Sequence, residues 1–216
     1  MVLTMNHKGE KMTEFYLIRH GQTAANVMKM KQGTINNEMT YLNKNGQKQA
    51  QTLANNFDIS FADRIICSPL HRTEQTTDIL NHQAHLPVSF DKRLLEISYG
   101  QWDGQKNADL RKIHPDAYND YWDDVLPIYV KYATDGETFD GVINRVHDFL
   151  IDTMHQYPDE KIICVTHGFT VKAAALDVLK PKDPMSLPEP GNTSVTKIIG
   201  LSDQEFYLEY YNQKFN

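Results

Sequence analysis

Cysteine is scarce in this chain, and its placement argues against a disulfide. Cys67 and Cys164 are the only two cysteines among 216 residues, and each follows two isoleucines in an apolar run, "RIICS" and "KIICV". An unpaired cysteine behaves as a small hydrophobic residue, so we expect two buried strand thiols. A reducing cytoplasm is the simplest compartment for such a chain.

Long apolar runs are also missing. The chain has no stretch of about 18 apolar residues, the length that a membrane-spanning helix needs. The opening "MVLTMNHKGEKMTEF" lacks the apolar region of a secretory signal. We expect residues 1–13 to be a disordered extension, with either Met1 or Met12 as the natural start. Residues 14–216 are then expected to form a single domain.

Positive charge is in the minority. Lys and Arg number 22 against 28 Asp and Glu, which gives a net charge of −6. A field of this sign repels nucleic acid and anionic membrane surfaces, so neither is expected as a partner. An anionic ligand would have to be held by a local cluster of positive side chains.

What the sequence does contain is an alternation of short β-rich runs with longer segments of helical period. Strands are predicted at 15–18, 64–67, 87–90 and 161–165, and helices at 43–56 and 139–157. Near the end, "SVTKIIGLSDQEFYLEYY" predicts two antiparallel strands at an edge. The pattern predicts a three-layer α/β/α fold with a mostly parallel sheet, an antiparallel edge strand and a small helical insertion at 103–135.

Charged and imidazole side chains follow three of the predicted strands. Arg19 and His20 come after the first, Arg72 after the second and His167 after the fourth. Ligands of parallel α/β sheets bind beyond the carboxyl ends of the strands. A single histidine there is more often structural than catalytic, but two arginines with two histidines suit a doubly charged phosphoryl group. The expected substrate is a phosphate ester.

The sequence lacks most of the motifs that would supply a nucleophile, a phosphate-binding loop or a metal site for such an ester. Four residues separate Cys67 from Arg72, whereas the cysteine-based phosphatase motif needs five. No GxxxxGK[ST], GxGxxG or GxSxG motif occurs. His82 and His85 lie in a polar helix tail without further ligands, so no metal site is expected. The remaining nucleophile is an imidazole, whose free nitrogen can accept a phosphoryl group when a hydrogen bond fixes the other nitrogen.

The stretch "RHGQTAAN" resembles the RHGxTxxN signature of the histidine phosphatase superfamily, which includes the cofactor-dependent phosphoglycerate mutases and the fructose-2,6-bisphosphatases. Further segments follow in the order of that family: "CSPLHRTEQT", "LLEISYGQWDG", "GETFDGVINRV", "THG" and "NTSVTK". The resemblance covers residues 15–197.

The resemblance implies roles for ten residues. His20 would become phosphohistidine, and Glu96 would be the proton donor, although pattern alone would make Glu96 a surface charge near a turn. Arg19, Arg72 and His167 would hold the nonbridging phosphoryl oxygens. The other phosphate- or substrate-binding candidates are Gly21, Gln22, Asn26, Gly33 and Gly168.

The expected activity is that of a metal-independent phosphatase without a cofactor, acting on a small phosphorylated metabolite. The 31 residues between Gly104 and Gly136 are short for a mutase, in which a longer segment caps the bisphosphorylated intermediate. Cofactor-dependent phosphoglycerate mutase is the first alternative. A non-catalytic module that binds a phosphorylated ligand is the second, and it would need neither a nucleophile nor an acid. The substrate and a possible homodimer stay open.

The predicted insertion carries four aromatic residues of interest: Tyr118, Tyr121, Trp122 and Tyr129. At least half are expected to pack the insertion against the sheet. Any that stay exposed would favour an apolar or ring-bearing leaving group.

Overall fold

The computed structural model describes residues 11–215. Residues 1–10 of the expected extension lie outside the described residues, and the first strand begins at Thr13. No helix of the described chain has both the length and the apolar character needed to cross a membrane.

A central sheet of six strands organises the molecule. The strands of the chain are β1 (Thr13–Arg19), β2 (Arg64–Cys67), β3 (Val88–Phe90), β4 (Tyr118–Asn119), β5 (Asp124–Val125), β6 (Lys161–Thr166), β7 (Val195–Ser202) and β8 (Glu205–Gln213). The sheet order is β3-β2-β6-β1-β7-β8. The first four strands of this order are parallel, whereas β7 and β8 pair antiparallel. The predicted mostly parallel sheet with an antiparallel edge is confirmed.

Six α-helices accompany the sheet in the described chain. They are α1 (Ala24–Val27), α2 (Lys44–Asn56), α3 (His71–Leu80), α4 (Asn107–Ile113), α5 (Phe139–Gln156) and α6 (Gly168–Leu179). The Asn43 side chain accepts a hydrogen bond from the Gly46 N–H and caps α2. Thr138 caps α5 in the same way through the Gly141 N–H. The two predicted helices therefore form where the sequence places them.

Alternate residues of β1 face two separate apolar cores. Leu17 belongs to the cluster that contains Phe149 of α5, whereas its neighbour Ile18 belongs to the cluster that contains Leu53 of α2. Successive side chains of a strand point to opposite faces, so a fully buried central strand needs helices on both. The result is the predicted three-layer arrangement.

The insertion at 103–135 is less helical than the sequence indicates. It contains α4, two 3₁₀ turns that begin at Pro115 and Pro127, and a short antiparallel pair of β4 with β5. The turn between these strands closes because the Asn119 side chain accepts hydrogen bonds from the N–H groups of Tyr121 and Trp122. The Asn and Asp residues of this segment are typical of turns, but the sequence analysis does not predict the strand pair.

Two of the four aromatic residues that the sequence analysis singles out in the insertion pack into the core. Tyr118 and Tyr129 are buried, whereas Tyr121 is 83% exposed and Trp122 is 40% exposed. The Trp122 indole N–H donates to the Met185 carbonyl at 2.9 Å. This hydrogen bond joins the insertion to the loop that precedes β7.

Candidate active site

The pairing of β1 with β6 brings the two histidines together. Arg19 lies opposite Thr166 in the parallel register, and the His20 N–H donates to the Thr166 carbonyl at 3.0 Å. His20 and His167 therefore leave adjacent strand ends, and their ring centroids are 5.3 Å apart.

His20 is held as one tautomer. Its ring is buried, and Nδ1 lies 2.7 Å from the Gly21 carbonyl oxygen. A carbonyl only accepts, so Nδ1 carries the proton and Nε2 keeps its lone pair. Burial, reinforced by the charges of Arg72 and Arg19, holds the pKa of His20 well below its ordinary value of 6.5. The ring is then neutral at pH 7, as a nitrogen nucleophile must be.

Arg72 and His167 form a second buried pair. The Arg72 Nε–H donates to His167 Nδ1 at 3.1 Å, and Nη1 and Nη2 donate to the Ile35 and Gly33 carbonyls at 3.0 and 2.8 Å. His167 Nε2–H then donates to Ser68 Oγ at 2.7 Å. Burial lowers the pKa of Arg72 to about 10, which leaves the guanidinium charged at pH 7.

Arg19 has a buried donor that is free to bind a ligand. Its Nη1 donates to the Pro190 carbonyl and lies 3.6 Å from Glu189 Oε2. Its Nε is buried and has no hydrogen-bond partner within the described chain. A Cβ at Gly168 would lie 3.0 Å from Arg19 Cζ, so the glycine leaves room for the guanidinium. An oxygen of a bound phosphoryl group would satisfy this Nε–H.

Glu96 lies at the beginning of α6. Its carboxylate accepts hydrogen bonds from the N–H groups of Ile97, Phe169 and Thr170 at 3.0 to 3.3 Å. The last two are amides of the first helical turn, which have no partner within the helix. Glu96 is only 9% exposed. The alternative interpretation as a surface charge near a turn is therefore wrong.

A cleft of about 400 Å³ opens beside these groups. Arg19, Asn26, Gly33 and Glu96 line it, whereas His20, Arg72 and His167 do not and lie buried outside its lining. The cleft is also lined by Trp122, one of the aromatic residues expected to favour an apolar or ring-bearing leaving group if exposed. Its lining further includes residues that the sequence does not single out: Lys29, Lys31, Tyr99, Asp123, Asp124 and Glu189.

Two of the candidate residues make their contacts with α2 and not with the cleft. The Gln22 carboxamide oxygen accepts from the side chains of Asn43 and Asn45 at the start of α2, and Gln22 does not line the cleft. A Cβ at Gly21 would lie 2.5 Å from the Gly46 carbonyl oxygen. The structural requirement for Gly21 is therefore the close approach of α2, a reason different from the expected approach to phosphate.

Asn192 is a site residue that the sequence analysis missed. Its side-chain amide donates to the His20 carbonyl at 2.9 Å and lies 3.3 Å from the Asn26 side-chain oxygen. Asn192 and Ser68 both occur in the segments that carry the family resemblance, which is the only signal that could have found them. Among residues 11–215, no group of three His, Cys, Asp or Glu side chains is arranged to hold a metal ion.

The family model and the named relatives that match this chain all indicate a phosphatase family. The model of the histidine phosphatase superfamily (branch 1) matches residues 15–214. Phosphoserine phosphatase 1 of Hydrogenobacter thermophilus is 27% identical over 162 residues, which cover 75% of this chain and 74% of the relative. The adenosylcobalamin/alpha-ribazole phosphatase of Escherichia coli is 28% identical over 155 residues, 70% of this chain and 72% of the relative.

Among solved structures, Bacillus stearothermophilus YhfR superposes with a TM-score of 0.81 at 26% identity, covering 94% of this chain and 98% of that one. The predicted family is confirmed, and the matches support phosphatase activity. The chain belongs to the histidine phosphatase superfamily (branch 1).

Proposed function

We propose that the protein is a phosphatase that hydrolyses a small phosphate monoester through a phosphohistidine on His20, with Glu96 as the proton donor. The observation that carries this proposal is the bond from His20 Nδ1 to the Gly21 carbonyl, because it leaves Nε2 as a neutral, buried nucleophile. Arg19 Nε, which has no hydrogen-bond partner among the residues that the structure describes, provides a donor for a phosphoryl oxygen at the same strand end.

The reaction then has two steps. In the first, the Nε2 lone pair of His20 forms the N–P bond while the bond from phosphorus to the leaving oxygen breaks, and Glu96 gives that oxygen a proton. In the second, Glu96 takes a proton from water, which attacks phosphorus and breaks the N–P bond. Arg19 and Arg72 carry the positive charge that stabilises the phosphoryl group in both transition states.

Metal independence is part of the proposal. The site supplies two guanidinium groups and a set of fixed hydrogen-bond donors, which can stabilise the charge of the transferring group without a cation. No cofactor is required by the two steps.

The charges in the cleft favour a phosphatase over the phosphoglycerate mutase alternative. Lys31 Nζ pairs with Asp124 at 2.9 Å, and Lys29 Nζ pairs with Asp123 at 3.3 Å. A phosphoglycerate carries a carboxylate in addition to its phosphate, and these two lysines are already paired with aspartates. The named substrates of the two relatives differ widely, so the names alone do not select a substrate.

Trapping the phosphoenzyme tests the proposal. Rapid quenching with a ³²P-labelled monoester should give an acid-labile label on the wild-type protein and none on His20→Ala. His82→Ala is the matched control, because His82 is exposed and outside the cleft, and it should retain the full label. A label that persists on His20→Ala would reject His20 as the nucleophile. A wild-type protein that does not turn over p-nitrophenyl phosphate would favour the non-catalytic module.

A further inference from the structure

One carboxylate in the cleft has no hydrogen-bond donor among residues 11–215. Glu189 lines the cleft between Pro188 and Pro190, and its side chain is 24% exposed. Its carboxylate accepts no hydrogen bond from the part of the chain that the structure describes, and its nearest cation is Arg19 Nη1 at 3.6 Å. The two flanking prolines restrict the backbone on both sides of Glu189.

The other charged side chains of the cleft are already paired. Lys31 contacts Asp124, and Asp123 contacts both Lys29 and Arg111, the latter at 2.6 Å. Glu96, the remaining carboxylate in the lining, accepts the amide hydrogen bonds described above. Glu189 is therefore the carboxylate of the cleft that can accept a hydrogen bond from a ligand.

Glu189 is also in an environment that penalises an unpaired negative charge. Burial and the nearby Asp124 raise the pKa of Glu189 to about 7. The charged or titratable groups around it are Arg19, Lys31, Glu96, Tyr99, Asp124, Lys172 and Tyr211. Lys172 does not line the cleft, and its Nζ donates to Met185 Sδ at 3.9 Å.

Binding of a phosphate ester would weaken the pairing of Glu189 with Arg19. In the proposed function, Arg19 binds the phosphoryl group, and its charge is then shared with a dianion. Glu189 would remain beside that dianion, partly buried, with no donor of its own. An unpaired carboxylate in such a place is unfavourable unless the ligand itself brings a positive charge.

We propose that Glu189 binds an ammonium group on the leaving alcohol, so that the substrate is a phosphate monoester of an amino alcohol. This inference rests on the proposed function, because it requires the phosphoryl group to lie on Arg19. The ammonium group would donate a charge-assisted hydrogen bond to Glu189 and compensate for the weaker pairing with Arg19.

Two matched pairs of substrates test the inference. O-phosphoethanolamine and n-propyl phosphate have nearly the same size, and they differ in an ammonium or a methyl group. O-phospho-L-serine and 3-phosphoglycerate differ at one carbon, which bears an ammonium or a hydroxyl group. We expect kcat/KM of the wild-type protein to favour the ammonium member of each pair by at least about tenfold, the order of one charge-assisted hydrogen bond.

Glu189→Gln should remove this preference. The two kcat/KM values for O-phosphoethanolamine and n-propyl phosphate should come within about threefold of each other, through a loss on the ammonium substrate. In the wild-type protein the ratio should rise as the pH increases through about 7, because Glu189 becomes charged, whereas in Glu189→Gln it should not. Asp123→Asn is the matched control. It removes an equal charge from the same cleft, but that carboxylate already contacts Lys29 and Arg111, so the ratio should be kept.

Two results would overturn the inference. One is a wild-type protein that hydrolyses both members of each pair equally well. The other is an equal loss on both members in Glu189→Gln, which would show that Glu189 only positions Arg19. Failure of the wild-type protein to hydrolyse p-nitrophenyl phosphate would reject the proposed function instead. Calorimetric binding of the same pairs would then decide whether the cleft prefers the ammonium group.

Discussion

Arg72 donates its Nε–H directly to His167 Nδ1 at 3.1 Å, although the two residues are 95 positions apart. Arg72 follows β2 and His167 follows β6, two neighbouring strands of the parallel sheet. Two backbone carbonyls hold the rest of the guanidinium. Three acceptors hold the Arg72 guanidinium in place, so it needs to move little when negative charge develops beside it. This is the condition for efficient electrostatic stabilisation.

Arg72→Lys should therefore be far from conservative. Lysine keeps the charge but cannot donate to His167 and to both carbonyls in the planar geometry of a guanidinium. We expect kcat/KM for p-nitrophenyl phosphate to fall by about 10²-fold or more. Arg64→Lys is the control, because Arg64 lies at the other end of β2 and pairs with Glu160, and it should stay close to wild type. A similar small effect for both variants would remove Arg72 from the catalytic machinery.

Treatment with a chelator should leave the rate unchanged. Arg19 and Arg72 provide the positive charge at the phosphoryl position in the proposed mechanism, so EDTA followed by gel filtration should not alter kcat or KM for p-nitrophenyl phosphate. A loss of activity that Mg²⁺ or Zn²⁺ restores would contradict metal independence.

Acid should destabilise the fold through its two buried histidines. Burial and the neighbouring arginines hold the pKa values of His20 and His167 well below 6.5, whereas the unfolded chain binds protons near 6.5. The unfolded state therefore binds more protons just below this pH. Each histidine should contribute stability that is complete above about pH 6.5 and is lost as the pH falls towards the folded pKa, with a slope of up to about 1.4 kcal/mol per pH unit.

Urea titrations at several pH values between about 5 and 8 would measure this slope. His167→Gln should show a shallower dependence of the unfolding free energy on pH than the wild-type protein. His82→Gln, a change at an exposed histidine, should keep the wild-type slope. Equal slopes for His167→Gln and the wild type would show that His167 does not titrate differently on folding.

The sequence predicts the sheet and the strand-end residues that meet at its edge, but it does not predict the other residues that line the cleft. The residues after β1, β2 and β6 meet because parallel strands end at one edge, which periodicity alone can indicate. The ion pair of Lys31 with Asp124 and the partly buried carboxylate of Glu189 depend on the path of the insertion and of a proline-rich loop. No local pattern specifies how such segments contact each other, which is why these residues were missed.

Gly168→Ala should weaken phosphate binding without unfolding the protein. An added Cβ would lie 2.5 Å from Glu189 Oε2 and 3.0 Å from Arg19 Cζ, both of which are side-chain atoms that can move. Displacement of Arg19 should raise KM for p-nitrophenyl phosphate by about tenfold, the order of one hydrogen bond to a charged group. Gly141→Ala, in the first turn of α5, is the control and should keep the wild-type KM.

Gly21→Ala should behave differently from Gly168→Ala. Its Cβ would lie 2.5 Å from the backbone oxygen of Gly46, which cannot move without shifting α2. We expect a lower melting temperature as its main effect, because overpacking against backbone commonly costs about 1–3 kcal/mol. A KM effect for Gly168→Ala accompanied by the same loss of melting temperature would contradict the distinction.

Glu96→Gln should affect substrates according to their leaving group. An alkyl alcohol departs poorly unless it is protonated, whereas p-nitrophenolate departs nearly unaided. If Glu96 supplies the proton, kcat/KM should fall by about 10²-fold or more on n-propyl phosphate and by a much smaller factor on p-nitrophenyl phosphate. The comparison must use kcat/KM, because hydrolysis of phosphohistidine is common to both substrates and can limit kcat.

Glu38→Gln, an exposed control, should change neither value. An equal loss on both substrates would leave Glu96 with electrostatic positioning and would direct the search for the acid to Asp103 or to the carboxylates of the 105–135 segment.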